Sequence, residues 1–319
     1  MMSPMAFLVL SCGLISSEQD VQQKIIESHE IWRQADSPIV IDFDVIVAPS
    51  GILEIEPGTQ IHLVEGSVRE PYPTGDIFRT PLIIVYGVLI SKGRPDKPIT
   101  FRGRKSLNPG NSEIWIRSKN NGSESSVIEW TELGVVRWKN GFAKIKNSKL
   151  DILACEDNER VEIISNEISY IDVRAKKGTI EDNISTSIGI IWSPDSIIIK
   201  NNIIQNQRGD FGGIRCSNGS RPLIINNVIK NCDLAFYIFS STPRIHYNNI
   251  VNNTINMVII PQSSKPENDT LYATHNWWGT TDSTLIAEKI EFRKNGETES
   301  GKTVIFVPFA ERPFDLDKQ

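Results

Sequence analysis

No run of 18 or more apolar residues occurs in this 319-residue chain, so no part of it reads as a membrane-spanning helix. Basic excess is missing too. The 34 Lys and Arg stand against 39 Asp and Glu, for a formal net charge of −5, which excludes the phosphate-neutralising field that nucleic-acid binding requires. Histidine is scarce, and His29, His62, His246 and His275 sit in unrelated contexts where no pair has metal-ligand spacing. No Ser-His-Asp or Cys-His arrangement, phosphate-cradling glycine loop or nucleotide signature appears, so no cofactor is implied. Gly209-Asp210-Phe211-Gly212-Gly213 precedes a strand pattern rather than a helix and reads as a turn. Cysteine is rare as well. Cys155, Cys216 and Cys232 lie in or beside apolar runs without metal-type spacing and read as buried thiols, with a Cys216–Cys232 disulfide as the alternative.

What the chain does have is a repeat. Ser196-Ile197-Ile198-Ile199-Lys200-Asn201-Asn202-Ile203-Ile204 recurs as Pro222-Leu223-Ile224-Ile225-Asn226-Asn227-Val228-Ile229 and again as Pro243-Arg244-Ile245-His246-Tyr247-Asn248-Asn249-Ile250. Marked by the apolar residue after the Asn, the series runs Leu133, Leu150, Ile168, Ile184, Ile203, Val228, Ile250 and Trp277, in steps of 16 to 27 residues. Steps of that length suit one coil of a parallel β-solenoid, in which each level buries its face against the next. Abundant Ile and Val support strands, because β-branched side chains pack well on a pleated surface.

The same alternation extends upstream through Ser37-Pro38-Ile39-Val40-Ile41, Gly51-Ile52-Leu53-Glu54-Ile55-Glu56-Pro57-Gly58 and Leu82-Ile83-Ile84-Val85-Tyr86-Gly87-Val88-Leu89-Ile90. Residues 37–282 therefore read as the solenoid, 18–36 as a tether or capping helix, and 283–319 as a C-terminal cap and tail. The segment from Glu65 to Thr80, rich in Pro, Gly and charge, reads as a projecting loop. Asn147, Asn166, Asn183, Asn202, Asn227 and Asn249 read as stacked corner residues, since Asn tolerates the left-handed conformation and bonds to nearby backbone.

A further set of strands aligns on a small polar residue: Gly189-Ile190-Ile191-Trp192-Ser193, Gly213-Ile214-Arg215-Cys216-Ser217, Phe236-Tyr237-Ile238-Phe239-Ser240 and Met257-Val258-Ile259-Ile260-Pro261. On this register Ile190, Ile214, Tyr237 and Val258, with Trp192, Cys216, Phe239 and Ile260, face the core. The stripe Ile191, Arg215, Ile238 and Ile259 then faces outward, and a register error of one would exchange the two sets.

The chain closes on Asn276-Trp277-Trp278-Gly279-Thr280-Thr281-Asp282, which reads as an aromatic plug followed by a helix over Ser283 to Lys294 and a final strand at Thr303 to Phe309. Together, the strands from Trp32 to Ile61, the coil ending Lys97-Pro98-Ile99-Thr100-Phe101, the Asn-Asn-Ile coils and the closing Asn276-Trp277-Trp278-Gly279 resemble the right-handed parallel β-helix repeat proteins of the pectin-lyase-like superfamily. That resemblance, over roughly residues 32 to 310, implies an all-β, single-domain right-handed parallel β-helix on a cell envelope. It leaves activity open, because the fold hosts lyases, hydrolases, epimerases and adhesins.

At the N-terminus, Met5-Ala6-Phe7-Leu8-Val9-Leu10-Ser11-Cys12-Gly13 resembles the lipobox of lipoproteins, which implies an export leader over residues 1–17 and lipidation at Cys12, the only membrane contact expected. The leader lacks the Lys or Arg that ordinarily precedes such a stretch. The polygalacturonase-like Asp cluster, Gly-His-Gly and Arg-x-Lys elements are also missing. The expectation is therefore a non-catalytic envelope protein that binds a polysaccharide or another surface protein through Tyr72, Arg215, Tyr237 and Ile238. Aromatic faces stack on sugars, and Arg bridges hydroxyls or carboxylates. Two rivals remain: a lyase or hydrolase using Asp172, Asp195 and Arg215, and a structural subunit self-associating through Ile191, Ile238 and Ile259.

Overall fold

The computed structural model describes residues 23–64, 66–67, 78–79, 82–103, 112–117, 125–193, 196–260, 270–294, 297–298 and 304–316. It is an all-β parallel solenoid of stacked levels. A twelve-stranded sheet takes one strand from each level and forms the first face. A nineteen-stranded sheet bends over the second and third faces and is parallel except for the strand Glu297–Thr298. One level comprises Ile197–Lys200, Ile203–Gln205 and Ile214–Ser217, and the next Leu223–Ile225, Val228–Lys230 and Leu234–Phe239. Lower in the stack, single bent strands such as Lys149–Asn158 and Glu167–Ala175 cover two faces at once.

Alternation puts every second side chain inside, where the levels stack like on like. Ile199, Ile224 and Ile245 form one such column, and Ile190, Cys216, Ile238 and Ile259 another. Each inward residue thus packs beneath its own counterpart, which keeps the interior dense although no level has a core of its own.

The corner between the first and second faces shows why the asparagines repeat. A left-handed residue turns the chain there at each level: Asn147 at φ 50°, Ser165 at 57°, Asp182 at 57°, Asn201 at 56°, Asn226 at 56° and Tyr247 at 59°. The next residue points inward, and from Asn166 upward it is Asn at every level: Asn166, Asn183, Asn202, Asn227, Asn248 and Asn276 are all buried. From Asn183 upward, each Oδ1 accepts from the backbone N–H of the Asn one level below at 2.9 Å, and in all five steps also from its side-chain Nδ2. Each Nδ2 also donates to a backbone carbonyl such as Ile180 O or Ile199 O. A backbone corner that would be orphaned in the interior is thereby satisfied by side chains. The ladder starts on smaller groups, with Ser148 N–H donating to Asn166 Oδ1 and Thr131 N–H to Ser148 Oγ. Of the six asparagines singled out from sequence, four are in this ladder. Asn147 is the exterior turn residue, and Asn249 lies one past the ladder, bonded to Phe314.

The register corrects the sequence alignment by one residue in several places. Ile203 pairs with Val228 and then Asn249, whereas Ile250 continues the column of Ile204 and Ile229. On the third face, Ile214 stacks on Phe236 and Met257, and Arg215 on Tyr237 and Val258. Aligning on the small polar residue displaces 236–239 and 257–260 by one, which exchanges their faces, and displaces 189–192 by two, which preserves the inward position of Ile190. Ile238 and Ile259 are therefore core residues at 1% and 5% exposure, and no outward Ile191–Ile238–Ile259 stripe exists. Trp192 and Phe239, expected inside, are exposed.

The ends differ from expectation too. Gln23–Ile26 and His29–Trp32 are strands pairing with Asp44–Val47 and Ile52–Ile55, so the first level lies within the segment read as a tether or helix. At the other end Asp282 caps a helix of only six residues, Ser283–Glu288, by accepting from Thr284 N–H at 2.8 Å. Ile290–Lys294 then joins the third face beside Ile255–Ile260, because Ile290 and Phe292 continue its inward alternation. Trp278 is buried in line with Ile250, because its neighbour Trp277 bridges to Asn249, and the tail is held by the paired bonds of Phe314 to Asn249.

All three described cysteines are buried and unbonded. Burial pushes the Cys216 thiol up to about 12 and Cys155 further, and it also raises Cys232. These protonated thiols contribute stability in full below the unfolded-state value, about 8.5, and that contribution is lost as the pH rises toward the folded value. Iodoacetamide at neutral pH should leave peptides containing Cys155, Cys216 and Cys232 unlabelled until denaturant is added, as read by mass spectrometry. Labelling of Cys216 in the folded protein would contradict this packing.

Candidate functional site

Three of the residues singled out from sequence meet on the outer side of the third face. The parallel register strings one outward column along the stack: Trp115, Arg137, Ala154, Asp172, Gly189, Arg215 and Tyr237, ending at Val258, which is buried as expected although it continues this column. Small residues at two levels leave gaps in it. Through the gap at Gly189, Arg215 reaches down two levels and its Nη2 lies 3.1 Å from Asp172 Oδ1. A Cβ at Gly189 would collide with that same carboxylate oxygen, so the bridge depends on glycine there.

Above the bridge, Phe211 is 68% exposed with the Arg215 guanidinium 5.9 Å from its ring centroid, and Tyr237 adjoins Arg215 in register. Phe211 sits on the segment inserted between Gln205 and Ile214, which is latched to the next level. Asp233 accepts from Gly209 N–H and from Arg208 Nη1, both at 2.9 Å. The Gly209 amide, then the Arg208 guanidinium, hold the Asp233 carboxyl below its ordinary value, so the latch is ionised at neutral pH. The result is a wall with one Arg between two aromatic rings, its carboxylate partner open to solvent.

Lower on the same face the column deepens into a groove of about 570 Å³ lined by Glu113, Trp115, Arg117, Arg137, Lys139 and Glu156, with Trp138 at its base. Trp115 donates from Nε1 to Glu113 Oε1 at 2.6 Å, and Arg137 Nε donates to the same oxygen at 2.6 Å. Lys139 and Glu156 are 3.7 Å apart. The Arg117 guanidinium lies 4.6 Å from the Trp115 ring centroid.

Asp172, Arg215 and Tyr237 are thus brought together, whereas Ile238 points into the core behind them. Tyr72, Asp195 and Cys12 lie outside the described residues. Sequence reasoning missed Gly189 and Phe211, whose roles depend on which levels stack, and the Trp115–Arg117 pair. The alternation Glu113-Ile114-Trp115-Ile116-Arg117 carried a signal for that pair, since it sends both side chains to one face.

Two of the three groups required by the catalytic alternative do meet, yet as an ion pair in which Arg215 holds the carboxylate. Among the described residues no group of three or more His, Cys, Asp or Glu could hold a metal ion, and no helix is long and apolar enough to cross a membrane. Comparison with family models, with curated proteins and with solved structures found no match to this chain.

Proposed function

We propose that this protein is an exported, non-catalytic binding protein whose third face holds a polysaccharide chain lying along the solenoid axis. The observation that carries the reading is the outward column from Trp115 to Tyr237, which has a ring at each end and Arg137, Asp172 and Arg215 between them, with Ala154 and Gly189 as the gaps. Sugars offer apolar ring faces for aromatic stacking and hydroxyls for Arg and Asp, and a linear chain can use several levels at once. A flat sheet face has no unpaired strand edge along it, which disfavours capture of a peptide as an added strand.

From Trp115 to Arg215 is five levels, roughly 24 Å at about 4.8 Å per level. Size-fractionated oligosaccharides should therefore bind more tightly as they lengthen toward that span and then level off, as measured by calorimetry. Tyr237→Ala should weaken the long chains about tenfold, near 1.4 kcal/mol. Unchanged binding in both Tyr237→Ala and Arg215→Ala, or release of depolymerised product by the purified protein, would remove the reading. Export through a lipidated Cys12 belongs to the same proposal, and mass spectrometry of the native N-terminus tests it independently.

A further inference from the structure

The groove at Trp115 differs from the upper wall in one respect that bears on the ligand. Of its three cations, Arg137 is bound to Glu113, and Lys139 stands by Glu156. Arg117 has no carboxylate within ion-pair distance among the described residues, and it rests instead against the Trp115 ring, which is itself fixed by its bond to Glu113. Stacking on an aromatic face orders a guanidinium while leaving the in-plane N–H fork available, and that fork matches the two oxygens of an acidic group. At Arg215, by contrast, one guanidinium nitrogen, Nη2, is already bonded to Asp172.

The geometry points to a distinct anion subsite at Arg117, so that the chain held on this face carries carboxylate or sulfate groups, one of which binds in the groove. This rests on the polysaccharide reading above and narrows its ligand class. Trp115 has two roles in the subsite: its ring positions the guanidinium, and its position in the column places the acidic unit in line with Arg215, five levels on. The selectivity is local. A net charge of −5 gives no long-range attraction for a polyanion, so the charge preference should appear in the dissociation rate rather than in steered association.

Neutral dextran, carboxymethyl-dextran and dextran sulfate of matched length, with poly-L-glutamate as a fourth probe, test this by surface plasmon resonance on the full chain. The expected result is that one or both charged dextrans bind at least tenfold tighter than neutral dextran and weaken as salt is raised. Arg117→Gln should abolish that difference, and Arg117→Lys, which keeps the charge but loses the fork, should restore only a minor part of it. Tyr237→Ala should weaken neutral and charged chains alike.

If neutral dextran binds in a Tyr237-dependent way while charge or Arg117→Gln changes nothing, the subsite falls and the wall reading survives. Failure of all three dextrans overturns both. Binding of poly-L-glutamate in place of every dextran overturns them in favour of an acidic protein segment. Circular dichroism of each variant separates loss of the site from loss of the fold.

Discussion

Ile238→Asp should abolish the folded protein. The side chain is 1% exposed between Cys216 below and Ile259 above, so the substitution places a carboxylate in a column of apolar groups with no cation to pair with it. Burial of an unpaired charge costs several kcal/mol even after relaxation, about 5 kcal/mol or more, which is comparable with the whole margin of a typical domain. The adjacent Phe239→Asp, at a position 38% exposed on the outer side of the same strand, should change stability by about 1 kcal/mol or less. Paired urea denaturations of the two variants test this directly. A soluble, cooperatively unfolding Ile238→Asp protein would show that the register of the third face is displaced by one. The comparison also disposes of lateral assembly through Ile191, Ile238 and Ile259, because two of those three side chains are not on the surface.

The second large effect is expected at Asn227. Its Oδ1 accepts from the backbone and side-chain nitrogens of Asn202, its Nδ2 donates to Ile199 O, Ile225 O and Asn248 Oδ1, and the residue is fully buried. Asn227→Ala removes these partners at once and leaves donors and acceptors on two levels dry and unpaired. At about 1–3 kcal/mol for each buried group left unsatisfied, and with partial rescue by water, a loss of about 3–5 kcal/mol is expected. Asn226→Ala, one residue earlier, forfeits only the ease with which Asn adopts φ 56° at the exterior corner, about 1 kcal/mol. Thermal unfolding of both variants decides the matter: equal losses would mean that the ladder does not hold the levels together. Since each level contacts only its neighbours, the damage from Asn227→Ala should also appear first as faster hydrogen exchange in residues 199–229 rather than along the whole rod.

The two experiments mark where a linear reading of this chain succeeds and where it stops. Stacked levels were legible because burial in a solenoid is periodic: Ile199, Ile224 and Ile245 recur in sequence for the same reason that they touch in space. Asparagine was legible too, at four of six positions, because only a short amide side chain can both follow a left-handed turn and close the corner's hydrogen bonds. Where the marker residue slipped, at Ser240 and Pro261, parity was lost, and the strands 236–239 and 257–260 turned inside out on paper.

The candidate site was legible only as residue types. Arg215 and Tyr237 attract attention as large polar groups among isoleucines, but nothing local in the sequence says that Asp172, 43 residues earlier, lies beneath the guanidinium. That contact requires two intervening conditions: levels of unequal length kept in register, and a glycine at the level between. The groove at Trp115 is set in the same way by the stacking of Glu113–Ile116 against residues 135–138.

Strand alternation and a repeating level are short-range properties, carried by side-chain size and backbone preference, and the amino-acid order alone determined them. Which outward side chains share a column is a long-range property, settled by how many residues each turn consumes before the next strand begins. Only the assembled stack could decide it, because turns of different length deliver their strands in the same register, whereas a shift of one residue in the pairing itself would exchange a strand's inward and outward side chains without changing any local preference.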